Sequence, residues 1–173
     1  MNISNCEWLY DDETGHYIVR NSRILYQNFA GEAQDYNPAG KRNFRLAVPD
    51  DLADELRAQG LAVRTRPPRD ENDDPLNLVK ISVYSDAEIR FLSGRAMSAV
   101  TIDNKNAEND CGAMIDREFR KGHARNGDIK VEFHISRNTQ VPNSAYYARL
   151  DVAIIPIRKS RLMSEIEDEY DED

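Results

Sequence analysis

GKRNFRLAVPDDLADELRAQGLAVRTR, residues Gly40–Arg66, decides the fold. Asn43 to Val48 alternates, with Phe44, Leu46 and Val48 on one face and Asn43, Arg45 and Ala47 on the other. That period of two is the mark of a half-buried strand. Pro49-Asp50 then opens a helix. Asp50 is placed to cap it, Leu52, Leu56 and Gln59 lie near one face, and Gly60 stops it. Leu61 to Arg66 returns as a strand, with Leu61, Val63 and Thr65 opposed to Ala62, Arg64 and Arg66. The unit is therefore strand, helix, strand, and both strands present arginines on the polar side.

Outward from this unit the pattern stays β-rich. Upstream, Tyr17–Val19 and Arg23–Phe29 read as one long or bent strand or a hairpin, and Gly31–Gly40 (GEAQDYNPAG) is a loop by its Gly, Pro and Asn content. Downstream, the Pro-rich, charged segment Arg66–Pro75 is a second loop. Leu76–Tyr84 is the strongest β run: Val79, Ile81 and Val83 share one face, Leu78, Lys80, Ser82 and Tyr84 the other. Short strands follow at Glu88–Leu92 and Met97–Ile102, then a polar loop at Asp103–Asp110 and a short helix at Ala113–Phe119. Asp128–Ser136 points Ile129, Val131, Phe133 and Ile135 inward. After the loop Arg137–Ser144, Tyr146–Ile155 closes the chain's β structure with Leu150, Val152 and Ile154 inward. Seven or eight short strands, one clear helix between strands and long loops predict a mainly β chain. The architecture that fits is a small antiparallel barrel with a helix at one end, an OB-fold, with a β-sandwich as the alternative.

Composition bounds the function. At 173 residues the chain fits one core, and 40% hydrophobic with 31% charged residues fits a soluble domain. No apolar run reaches membrane-spanning length, and the N-terminus lacks the basic and apolar regions of a secretory signal. Cys6 and Cys111 are too few for a disulfide framework, so a reducing cytoplasm is expected. Cys6, His16, Cys111, His123 and His134 show no ligand spacing, and no metal or other cofactor is expected; His134 reads as a surface residue. Phosphate-cradling glycine motifs are missing, and no nucleophile, base and acid stand in a diagnostic arrangement. A binding protein is expected rather than an enzyme.

Charge is unevenly placed. The last ten residues, SEIEDEYDED, hold seven carboxylates (Glu165, Glu167, Asp168, Glu169, Asp171, Glu172 and Asp173) around Tyr170, and no Lys or Arg. Such a segment repels itself and has nothing to bury, so residues 164–173 are expected to form a disordered acidic tail on a domain spanning 1–163. The tail accounts for most of the net charge of -8, and without it the body carries -1. A near-neutral body with 23 Lys and Arg has room for a basic groove. Lys41–Arg69 alone has a local excess of three positive charges.

The polar faces of the strands carry that excess. Arg45, Arg64, Arg66, Lys80 and Arg149 fall opposite apolar positions, and Tyr84 and Tyr147 lie among them. Cations that track phosphates beside flat rings that stack on unpaired bases make a surface for single-stranded nucleic acid. Lys41 and Arg42, at a loop-to-strand junction, are further candidates for phosphate contacts, whereas Phe44 belongs to the core. Strand alternation alone also produces charged outer faces, so this pattern by itself is a modest signal.

The pieces RILYQNFAG (Arg23–Gly31), GKRNFRLAVPDDLADELRAQGLAV (Gly40–Val63) and LVKISVY (Leu78–Tyr84), with the acidic end, resemble a family of phage-encoded single-stranded DNA-binding proteins. The shared features are an N-F-x-G turn, a G-x-R-x-F approach to a strand and a D-x-x-x-x-L-x-x-x-G helix. The resemblance implies an OB-fold and sequence-independent binding of single-stranded DNA during phage DNA replication or recombination. It also implies an acidic tail that competes for the groove or recruits replication and recombination proteins. Homo-oligomerisation is left open. Two other readings compete: an acidic DNA mimic that sequesters a host enzyme, and a small metal-dependent nuclease.

Overall fold

The computed structural model describes residues 5–158. The acidic segment 164–173, and the domain boundary expected at 163, lie outside the described residues.

The chain order is β1 (Glu7–Asp11), β2 (His16–Asn28), β3 (Asn43–Val48), α1 (Asp50–Ala58), β4 (Val63–Arg66), β5 (Leu76–Ser82), β6 (Glu88–Ser93), β7 (Ala96–Ala99), α2 (Gly112–Arg120), β8 (Ile129–Ser136) and β9 (Tyr147–Pro156). Five strands close on themselves in the order β2-β3-β5-β9-β8 and back to β2. Every pairing in the ring is antiparallel except β5–β9, where Ile81 lies opposite Ala148 and Ser82 opposite Arg149 in parallel. This closed five-stranded barrel is the architecture of an OB-fold. β1 adds to β2, β4 to β5, and the β6–β7 hairpin to β9, so the ring is extended outward at three places.

Alternation fills the barrel. Phe44, Leu46 and Val48 of β3, Val79 and Ile81 of β5, and Ile129, Val131 and Phe133 of β8 are all buried. Each large apolar side chain removed from water in this way contributes about 1.5–3 kcal/mol. Phe29 is in the core: its ring stacks on Phe44 at 5.4 Å and on Phe119 of α2 at 6.2 Å.

Three local expectations are corrected. Asp50 does not cap α1. Pro49 occupies the cap position without a side-chain bond, and the Asp50 carboxylate instead accepts from Asn77 Nδ2 at 2.6 Å, tying the helix start to β5. The buried face of α1 is Leu52, Ala53 and Leu56, with Gln59 exposed beyond the last turn. In β9 the inward residues change partway: Ala148 and Leu150 are buried, then Ala153 and Ile155, not Val152 and Ile154. The register with β8 passes from Phe133–Leu150 to Glu132–Val152 and skips Asp151. One extra residue in a strand reverses every face beyond it. β1 is a further strand that the sequence reading does not place.

The loop after β2 is fastened to α2. Asp116 accepts from the N–H groups of Phe29 (2.8 Å) and Ala30 (3.0 Å). Gly112 allows this approach: a Cβ there would lie 2.4 Å from the Phe29 carbonyl oxygen and 2.6 Å from Arg42 Nη1.

Candidate nucleic-acid interface

The outer face of β3 and β5 carries the basic surface. Arg45 and Lys80 are direct cross-strand neighbours, and Arg64 stands across β5 opposite Leu78 on β4. Beneath them lies a small apolar floor outside the barrel, Ala47, Leu76 and Leu78 with Leu25 packed on it. This floor explains why the cations are partly desolvated. Long stems cover the apolar patch while the charged heads crowd above it.

The crowding is one-signed. Burial, then the neighbouring charges of Arg45 and Lys41, hold the Lys80 ammonium below its usual range. Burial and Arg64 lower Arg45 in the same sense, and burial and Arg66 lower Arg23. Arg45 Nη1 and Arg23 Nε are buried donors with no acceptor among the described residues. Unpaired buried donors on like-charged groups are costly and uncommon. An anionic ligand laid on this face would supply both the acceptors and the counter-charge.

Aromatic rings stand beside these cations, and they are not the ones singled out in the sequence. Tyr36 is 100% exposed and Tyr26 57% exposed. Both line two adjoining clefts, each of about 410 Å³, together with Arg45 and Lys80. Asp35 is the one carboxylate lining either cleft among the described residues. Tyr26 has a left-handed backbone, φ 54° being found at Asn21 and 51° at Tyr26, and it sits where the β2–β3 ladder is interrupted between Leu25 and Asn28. That interruption turns the ring outward at a cost that a bulky residue rarely bears without a role. The Arg66 guanidinium beside its hydroxyl draws the Tyr26 phenol below its usual range.

The loop that presents Tyr36 is built in advance. Asn37 Nδ2 donates to the carbonyls of Glu32, Pro38 and Lys41, and Asn43 Nδ2 donates to Asn37 Oδ1 at 2.8 Å. Asn28 and Glu32 exchange two further bonds. At its neck, Gly40 donates to Gly31 at 2.8 Å, and both glycines have positive φ. A ring held on an ordered loop loses little freedom when it stacks on a ligand.

The second aromatic group lies at the β5–β9 seam. The rings of Tyr84 and Tyr147 are 6.4 Å apart, and the Arg149 guanidinium covers Tyr84 at 4.3 Å. Arg149 also pairs with Asp86 at 2.6 Å. The three residues predicted here are thus brought together, but they are already in contact with one another.

The remaining predicted positions separate by partner. Lys41 is exposed and close enough to Lys80 to act on its charge. Arg42 is enclosed: it donates to the Phe29 carbonyl at 2.7 Å and Asn104 Oδ1 at 3.1 Å and pairs with Asp110 at 3.0 Å. It fastens the loop rather than facing solvent. Arg66 pairs with Asp73 at 3.7 Å beside Tyr26. The tail residues Glu165 to Asp173 lie outside the described residues. Tyr26, Tyr36 and Arg23 are additions from the structure. A Tyr in a polar Asn-Pro-Gly loop with nothing to pack on is a signal the sequence holds for Tyr36. For Tyr26 the signal is fainter, a break in the alternation of β2.

Among the described residues no helix is long and apolar enough to cross a membrane. No curated protein matches the chain. Among solved structures, the single-stranded DNA-binding protein from bacteriophage Enc34 aligns at 11% identity over 89% of this chain and 90% of that one, with a TM-score of 0.47. Its C-terminal truncation aligns at 13% identity over 89% and 97%, with a TM-score of 0.45. The family model described as "Putative phage ssDNA-binding domain" matches residues 12–106, more than half of the chain and the part that contains β2, β3 and β5 with Tyr26, Tyr36, Arg45 and Lys80. With a closed β-ring whose outer face gathers cations, unpaired among the described residues, and exposed tyrosines, this chain belongs to the phage single-stranded DNA-binding family, a family of non-enzymatic binding proteins.

Proposed function

We propose that the protein coats single-stranded DNA without sequence preference, in the cytoplasm of the host, while phage DNA is replicated or recombined. The observation that carries this reading is the outer face of β3–β5, where Arg45, Lys80 and Arg64 crowd beside Tyr26 and Tyr36, with Asp35 the one lining carboxylate among the described residues. Cations engage the phosphates and rings stack on bases, and neither reads base edges. Lys41 and the Tyr84–Tyr147–Arg149 group extend this path at one end of the face, where Asn43 pairs with Ser82 and Val83 N–H donates to the Arg42 carbonyl. The acidic segment 164–173 competes with DNA for the cationic face and, once displaced, is free to recruit replication or recombination proteins. The decisive experiment is fluorescence anisotropy with labelled oligo(dT), a mixed-sequence single strand and a duplex, across a salt series. Similar affinity for both single strands, weaker duplex binding and a steep salt dependence are expected. Duplex binding equal to or tighter than single-strand binding in the same buffer overturns the proposal.

A further inference from the structure

We propose that His16, His134 and Asp151 form a site for a divalent transition-metal ion, Zn²⁺ foremost, that ties together three strands of the ring. The ligands come from β2, β8 and β9, far apart in sequence. His16 and His134 are direct partners in the β2–β8 ladder, and their rings stack at 5.3 Å. Asp151 is the residue that the β8–β9 register skips. Its Oδ2 lies 2.9 Å from His134 Nδ1 and 3.6 Å from His16 Nδ1. Glu132 Oε2 is 3.1 Å from the same nitrogen of His16, close enough to supply a fourth ligand.

The geometry fits a cation. One ligand atom from each of His16, His134 and Asp151 lies within 4.8 Å of the others. Tetrahedral zinc with bonds of about 2.0–2.2 Å sets its ligands about 3.4 Å apart. Small side-chain rotations would close the difference. Two imidazoles aimed at one carboxylate, with a second carboxylate alongside, concentrate lone pairs that a divalent ion would join. Imidazole with carboxylate suits zinc and its neighbours, whereas Mg²⁺ and Ca²⁺ prefer all-oxygen shells. The bulge is a second observation. An extra strand residue re-aims a side chain and is typical of functional positions, and here the re-aimed residue is the shared carboxylate. All four side chains are only partly shielded, and a cleft of about 420 Å³ beside the two histidines gives an ion access. The ion's role would be structural, since β2, β8 and β9 are joined side by side in the ring. This inference does not depend on how the chain binds DNA.

The test uses the full chain, stripped with chelator and titrated with ZnCl₂ by calorimetry and thermal melting. One equivalent of Zn²⁺ should bind and raise Tm, Mg²⁺ should do neither, and His134→Gln or Asp151→Asn should weaken Zn²⁺ binding at least about tenfold. A Cys6→Ser, Cys111→Ser variant should bind as the unaltered chain does. Failure to bind one equivalent, or binding that survives both site substitutions unchanged, overturns the proposal and leaves a hydrogen-bonded cluster. If both substitutions unfold the chain, Co²⁺ added to the unaltered protein decides. Visible bands of a four-coordinate nitrogen–oxygen site support the proposal, and their absence or a sulfur charge-transfer band overturns it.

Discussion

The β3–β5 face and the β5–β9 seam both set cationic side chains beside tyrosine rings, yet they differ in what the cations touch. On β3–β5, Arg45 and Lys80 neighbour other cations, and Arg45 Nη1 has no acceptor among the described residues. At the seam, Arg149 is paired with Asp86 and stacked on Tyr84. A phosphate gains a strong charge-assisted contact from the first group. From the second it must compete with a carboxylate already in place. Availability of a cation depends on its neighbours in space, which strand periodicity does not report.

The largest expected effect is therefore from Arg45→Ala combined with Lys80→Ala. Hydrogen bonds to charged groups are worth about 1.5–3 kcal/mol each, so the pair should lose at least about 100-fold in affinity for oligo(dT). The slope of log K against log salt should shrink by about 1.4 if each engages one phosphate of a single strand. Stability should move the other way. Burial and like charge make both cations unfavourable in the folded chain, so Arg45→Met should leave Tm equal or higher in a melting experiment. For Lys80 the sign with pH is definite. Its folded pKa is depressed, so stability rises as pH climbs through the depressed value toward the unfolded value of about 10.4. Lys80→Met should abolish that rise. A fall in Tm together with unchanged DNA binding would erase the distinction between the two faces.

Next in size are the tyrosines. A base stacked on an aromatic ring is worth about 1–3 kcal/mol, so Tyr36→Ala should weaken oligo(dT) binding about tenfold with no change in Tm or salt slope. Tyr36 has no packing to lose, being fully exposed. Tyr84→Ala removes the ring under Arg149 and beside Tyr147, so it should lower Tm and weaken binding less than Tyr36→Ala does. The reverse order would place the main stacking site at the seam.

How much of this was legible in the sequence follows from the range of the forces involved. The alternation of β3, β5 and β8 reported the barrel interior faithfully, because a period of two is set by local geometry. So did the stop of α1 at Gly60, which has φ 98°. The face reversal in β9 was not legible, since the bulge at Asp151 depends on pairing with a strand elsewhere in the chain. Arg45 and Lys80 could be placed on a common outer surface from their strands. That Arg42, three residues before Arg45, is enclosed by Asp110 and the Phe29 carbonyl could not, because those partners are fixed only by the fold. The His16–His134–Asp151 group was invisible for the same reason: ligands on three strands leave no sequence spacing.

A smaller effect is expected from the acidic segment. Truncation after Met163 removes seven carboxylates tethered to the domain. A tethered competitor at millimolar effective concentration needs only weak attraction to occupy a cationic face. Truncation should tighten oligo(dT) binding several-fold at low salt and progressively less as salt screens the attraction. Introducing Arg45→Ala and Lys80→Ala into the truncated chain should remove most of that gain, since the segment would then have lost its target. An equal gain with or without the two cations would mean that the segment acts by net charge and not by occupying the β3–β5 face.

The smallest expected effect converts one region into the other. Asp86→Asn removes the charge that holds Arg149 while keeping the size of the side chain. Arg149 would then lack its carboxylate partner, as Arg45 does among the described residues, and would be free to meet a phosphate at the seam. Affinity for oligo(dT) should rise about two- to threefold, because a largely exposed ion pair is worth only about 0–1 kcal/mol and its loss is readily outweighed by a new phosphate contact. The salt slope should steepen by at most about 0.7, the increment for one additional phosphate on a single strand. A double variant, Asp86→Asn with Arg149→Ala, should return to the affinity of Arg149→Ala alone, which isolates the gain to this cation. If Asp86→Asn leaves both affinity and slope unchanged, no phosphate passes within reach of Arg149, and the DNA path ends on the β3–β5 face.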